Sequence, residues 1–128
     1  MAEPTLALQG AIFTALHGHT DAGNNVFDRV RPNIFPRIQI GGGQSVTDDA
    51  QCIDGWEVYF QIDVYSNAEG YPEVKTIAGQ IHSLLHNQEL AVDDFALVSM
   101  SVTGIVYSRE QDETISRARI SVEALMEA

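Results

Sequence analysis

WEVYFQIDVY, residues 56–65, is the stretch on which the fold turns. Trp56, Val58, Phe60, Ile62 and Val64 alternate without a break with Glu57, Tyr59, Gln61, Asp63 and Tyr65. Successive side chains of a strand point to opposite faces, so this alternation predicts a long antiparallel strand with one face buried. Tyr59 and Tyr65 fall on the polar side, where partial cover is therefore expected as well.

A buried sheet face needs a second layer, and the sequence on either side supplies it. After a turn at Ser66–Gly70, residues 72–87 read as a helix opened by Pro72, which is tolerated in a first turn where the missing N–H has no helical partner. Val74, Ile77, Ala78, Ile81, Leu84 and Leu85 make one helical stripe. Gly79 lies on its back with Thr76 and Ser83. Glycine there costs about 1 kcal/mol against alanine, so a closely approaching backbone is expected beside it. Two further strands follow. In 96–107, Val98, Met100, Val102 and Val106 share a face, with Gly104 as a bend or bulge. In 115–126, Ile120, Val122, Ala124 and Met126 stand opposite Arg117 and Arg119, and the polar SREQDETIS joins the pair.

Upstream of the central strand, GGGQSVTDDAQCIDG, residues 41–55, reads as a flexible loop or a glycine-kinked hairpin arm. Pro36 opens a short strand, PRIQI, with Ile38 and Ile40 on one face. Residues 18–35 read as a loop interrupted by the apolar pair Val26–Phe27. Residues 5–17 read as a helix whose buried stripe is Leu8, Ala11, Ile12, Ala15 and Leu16, with Pro4 and Gly18 at its ends. Leu6 and Phe13 project from nearly the opposite side of that helix, which makes them candidate contacts with a neighbouring subunit. The order is α-β-(arm)-β-α-β-β, with no repeat and no linker. Both helices need the same sheet face, so the expected class is a two-layer α+β domain over residues 1–128. Its sheet is mainly antiparallel, with a flexible arm or loop at about 41–55.

Eighteen acidic residues against seven basic ones give a net charge of −11, spread over both halves. Nucleic-acid binding draws on clustered Lys and Arg, and this chain has no such patch. The plain reading of the acidity is solubility, and the sharper alternative is an acidic surface that DNA must pass without sticking. No stretch approaches the roughly 18 apolar residues that span a bilayer. The single Cys52 cannot form an internal disulfide, so a soluble protein made in a cytoplasm is expected.

Catalytic constellations are missing. His82 and His86 stand four apart on the second helix, but no Glu follows His82 and no acid or cysteine stands at ligand spacing. His17 and His19 bracket the end of the first helix, where they face its negative pole. Cys52 lies between Asp49 and Asp54, whose carboxylates disfavour a thiolate. The acidic pairs Asp48–Asp49, Asp93–Asp94 and Asp112–Glu113 sit in expected loops. No enzyme, cofactor or metal is expected. A small metal-dependent hydrolase built on His82, His86 and the acidic loops is the weakest alternative.

Taken together, these segments resemble one family nearly end to end. PTLALQGAIFTAL is similar to its opening helix, NNVFDRVRPNIFPRIQIG to the loop entering its first strand, and DAQCIDGWEVYFQIDVYS to its arm and central strand. EVKTIAGQIHSLLH resembles its second helix, and LVSMSVTGIVYSRE with ISRARISVEAL its closing strand pair. The family is that of the tail-completion, or tail-terminator and head–tail joining, proteins of long-tailed bacteriophages and related gene transfer agents. The resemblance implies a structural subunit of a ring, commonly a hexamer, in the virion at the end of the tail tube nearest the head. Such a ring stops tube polymerisation and docks the head connector or stopper. Its implied partners are further copies of itself, the tail tube protein and the connector, with DNA as transiting cargo and no membrane. A head-proximal connector or minor tail subunit of similar fold is the nearer alternative. Leu6, Phe13, Asp48, Asp49, Ile53, Tyr59 and Tyr65 are the candidate residues for contacts with neighbours or tube.

Overall fold

A computed structural model describes residues 3–48, 55–111 and 114–128. The chain runs α1 (Thr5–Leu16), β1 (Val26–Phe27), β2 (Arg37–Asp48), β3 (Gly55–Ser66), α2 (Pro72–Leu85), β4 (Ala96–Arg109) and β5 (Ser116–Glu127). The five strands form one sheet in the order β1-β2-β3-β5-β4. All neighbours are antiparallel except the short β1, which runs parallel to β2 through Val26↔Ile38 and Phe27↔Gln39. The apolar pair within the expected loop is therefore a strand. Ile38 N–H donates to the Asn25 carbonyl at 2.8 Å and Asn25 Nδ2 to the Pro36 carbonyl at 2.9 Å, which ties the two ends of that loop together.

Both helices cover one face of the sheet, as the periodicity requires. Val58, Phe60, Ile62 and Val64 of β3 and Ala118, Ile120, Val122, Ala124 and Met126 of β5 are buried beneath them. Leu8, Ile12 and Leu16 of α1 and Val74, Ile77, Ala78, Ile81 and Leu85 of α2 complete the core. α2 lies against β3, β5 and β4. α1 lies beside it towards the other edge, where it lines grooves with Val26, Ile40 and Val58.

Strand β2 is longer than PRIQI. It continues to Asp48, in register with Gly55 of β3, across a bulge between Ile40 and Gly43. A side chain at Gly43 is sterically barred: its Cβ would fall 2.0 Å from the Tyr59 carbonyl oxygen and 2.8 Å from Phe60 Cα. Residues 49–54, between β2 and β3 in the sequence, lie outside the described residues, and with them Asp49, Cys52 and Ile53.

Strand β4 departs from the expected alternation. Met100 and Val102 do face the helices, but the register shifts at Leu97/Ser99 and again at Val102/Gly104. Each shift inserts a residue and exchanges the faces of the residues beyond it. Ile105 and Tyr107 take over the helix side, opposite Ile120 and Ala118, and Val106 moves out to 64% exposure. Val98, at the first bulge, is 55% exposed. Gly79 differs too: a Cβ there would meet nothing within 4 Å, so among the described residues no other element's backbone passes close to it.

Candidate interaction surfaces

The outer face of α1 is uncharged and exposes large apolar side chains. The helix carries no charged residue, only Leu8, Ile12 and Leu16 turn fully inward, and Leu6 and Phe13 are left outside at 79% and 40% exposure. Leu6 and Phe13, one heptad apart, line a single groove with Val26, Phe27 and Ile40, and Asp28 and Arg29 line it as well. Leu6 also borders a second groove on the other flank, with Leu90 and Ala91. The structure thus brings the first two candidate residues onto one surface. Phe13 is partly steadied by His17, whose ring lies 4.9 Å away.

Between α1 and the glycine bulge lies a cleft of about 230 Å³. Gly41, Gly42 and Gly43 contribute no side chains there, so Leu8, Ile12, Val58 and Phe60 show at its floor. A clasp crosses its mouth. Ser45 Oγ donates to Glu3 Oε2 at 2.6 Å, and Thr5 N–H donates to Glu3 Oε1 at 2.7 Å. Partial burial works against the Glu3 charge, but the hydrogen bonds from Ser45 and Thr5 prevail and hold its pKa below the usual carboxylate value.

The other sheet face carries Tyr59 and Tyr65 in very different settings. Tyr65 is half-buried in a stack of rings and cations: the Arg37 guanidinium lies 4.2 Å from its centroid and 4.9 Å from that of Phe35. Arg37 is only 6% exposed and donates to the Ile34 carbonyl at 3.2 Å. Burial lowers its pKa, against the pull of Tyr65 and Glu110. One register step away, Asp63, also 6% exposed, accepts from Arg117 Nε and Nη2 and from Arg119 Nε, each at 3.2 Å. Burial opposes the charge of Arg117, yet Asp63, Tyr65 and Glu110 more than offset it and raise its pKa. Tyr65 is raised by burial and Asp63, with Arg117 pulling the other way.

Towards the opposite end of the same face the sign reverses. Tyr59, 38% exposed, lies across from Gln44 and Glu123 and follows Glu57. Desolvation first, and then Glu57 and Glu123, raise its pKa. The open face is therefore polarised, with Arg37, Arg117 and Arg119 at one end and Glu57, Glu123 and Glu127 at the other. Tyr59 belongs to the acidic end and Tyr65 to the basic one, so the structure does not bring them together. Asp48 closes β2 opposite Gly55.

The histidine pair has a structural use that its spacing did not reveal. The rings of His82 and His86 stack 4.6 Å apart, and His86 Nδ1 accepts the Val102 backbone N–H at 3.0 Å. Among the described residues, no group of three or more His, Cys, Asp or Glu is placed to hold a metal ion. Sequence reading missed Asp63 as an organising carboxylate. The available signal was Arg117 and Arg119, two apart on a strand and so on one face, with Asp63 on the polar face of its neighbour.

The fold is that of a small two-layer α+β domain. The sequence matches the family described as tail completion protein gp17 over residues 7–127, and the chain belongs to that family. It is thus a structural protein of phage-type tails, as the sequence resemblance implied. Among solved structures, a chain from "Virion of native gene transfer agent (GTA) particle" superposes with a TM-score of 0.88 at 20% identity, covering 100% of both chains. A second solved chain has a TM-score of 0.63 at 12% identity, over 98% of this chain and 96% of its own length. At these identities the likeness is one of fold. A sequence search of curated proteins gives no match.

Proposed function

We propose that this protein forms a ring at the head-proximal end of a phage-type tail tube, ends tube polymerisation there and presents the surface on which the head connector docks. DNA passes through the ring's channel as cargo. The observation that carries this reading is the family match over residues 7–127, nearly the whole chain. A net charge of −11 suits a channel that DNA must cross without binding. The partners are further copies of the chain, the tail tube protein and the connector, and the finished protein resides in the virion or a virion-like particle after synthesis in the host cytoplasm.

Light scattering with negative-stain imaging across concentration, with and without purified tail tubes, tests the proposal. Rings in solution, or rings capping tube ends, are expected. A protein that stays monomeric at every concentration and ignores tube ends overturns it.

A further inference from the structure

We propose that copies of this chain meet head to tail, with the outer face of α1 on one copy seated against the β4 edge of the next. This rests on the ring reading and specifies its interface. A closed ring of identical subunits needs two different patches on opposite sides of each subunit. Each copy also carries −11, and like charges brought within the ~8 Å screening length at physiological salt repel, so contact favours surface without charge.

The two longest intervals of the sequence without Asp, Glu, Lys or Arg run from Glu3 to Asp21 and from Asp94 to Arg109. The first contains α1 and the second all of β4 up to its last residue. These elements lie towards opposite edges of the domain, α1 over the β1–β2 side and β4 as the last strand of the other. Both carry large apolar side chains in water: Leu6 at 79% and Phe13 at 40% on α1, Val98 at 55% and Val106 at 64% on β4. α1 has large apolar side chains on its outer as well as its inner side, and only the inner side is covered.

The β4 edge also indicates the kind of surface it takes. Outer strands are usually blunted by Lys, Pro or charge against stray pairing, and β4 has none of these before Arg109. Midway along, however, its backbone is already occupied: Val102 N–H donates to His86 Nδ1, and the Met100 carbonyl accepts Asn87 N–H at 2.8 Å. That stretch cannot take an added strand. Its two bulges leave Val98 and Val106 as side-chain contacts, which suits the side-chain surface of a helix.

The test uses two single variants, Leu6→Glu and Val106→Glu. Both positions are exposed, and Glu in the first turn of α1 is favoured by the helix dipole, so circular dichroism should show both folded. Each variant alone is expected to scatter as the 14.0 kDa monomer under conditions where the unaltered chain forms rings. An equal mixture holds one intact α1 face and one intact β4 edge, and is expected to give particles of twice the monomer mass and none larger. Rings that persist in either variant overturn this interface and leave the ring reading standing. Two monomeric variants that do not pair when mixed overturn the match between these two surfaces. An unaltered chain that never assembles, even on tail tubes, overturns the ring reading and this interface with it.

Discussion

His86 Nδ1 accepts the backbone N–H of Val102 at 3.0 Å, which fastens the end of α2 to the outer side of β4 beside its second bulge. Without it, a part-buried N–H at the sheet edge has no protein partner. We expect His86→Ala to cost about 1–2 kcal/mol, the lower part of the range for leaving a buried donor unsatisfied, because this one is only part-buried. For a domain of this size that lowers the melting temperature by about 4–8 °C. His82→Ala, which loses only the stacked ring, should cost less than half as much. Thermal unfolding of the two variants side by side checks the difference. Equal losses would mean that the stack matters and the hydrogen bond does not.

Asp63 anchors the polar face of the sheet in a similar way. Its carboxylate is 6% exposed and receives both Arg117 and Arg119. Those arginines remain partly in water, at 21% and 44% side-chain exposure, so the loss on removing Asp63 is smaller than for a fully buried pair. Asp63→Ala is expected to destabilise the domain by about 2 kcal/mol, in line with hydrogen bonds to charged groups. Arg117→Ala should cost more than Arg119→Ala, because Arg117 gives two hydrogen bonds to Asp63 and pairs with Glu110 as well. Urea unfolding midpoints at constant slope would report the order.

The layers of this fold were legible because periodicity records burial. The stripes of α1 and α2 and the alternation of β3 and β5 lead to residues that are buried or, like Ala11, Ala15, Leu84 and Trp56, half-buried against the core. β4 was read less well for a physical reason. A bulge changes which face a residue occupies without changing the residue, so Val98 and Val106 look like core valines in sequence and stand in water in the structure. β1 was missed because a two-residue strand has no period; its pairing with β2 makes it one. At the surfaces, Leu6 and Phe13 were legible as apolar residues on the wrong side of a helix. The Asp63 centre was legible only as two arginines on one face, since its carboxylate depends on which strands become neighbours, and the His86 bond was not legible, since it depends on where the end of α2 meets β4.

The glycine bulge allows a sharp comparison between adjacent positions. At Gly43 a Cβ would lie 2.0 Å from the Tyr59 carbonyl oxygen, whereas at Gly42 it would meet nothing within 4 Å. Backbone atoms cannot turn aside as a flexible side chain can. Gly43→Ala should therefore force the β2–β3 ribbon apart and cost about 2 kcal/mol or more, comparable to overpacking a core. Gly42→Ala should stay within about 0.5 kcal/mol, as ordinary surface changes do. Chemical denaturation measures both. A tolerated alanine at Gly43 would show that β2 passes Tyr59 differently.

The Glu3 clasp ties the start of the chain to that same ribbon, and its response to acid has a definite sign. Ser45 Oγ and Thr5 N–H donate to the ionised carboxylate, so its pKa in the folded protein lies below the value it has unfolded. A carboxyl lowered in this way contributes its stabilisation at neutral pH and loses it as pH falls through the lowered folded pKa. The clasp is exposed, so its effect is local. Amides around Ser45 are expected to exchange faster with solvent in Glu3→Gln than in the unaltered protein at pH 7, because the neutral amide is a weaker acceptor for the Ser45 hydroxyl. The two proteins should converge once acid has protonated Glu3. Hydrogen exchange resolved residue by residue, and corrected for the intrinsic effect of pH, measures this. Identical protection of residues 44–46 in both proteins at pH 7 would show that the clasp does not hold the ribbon.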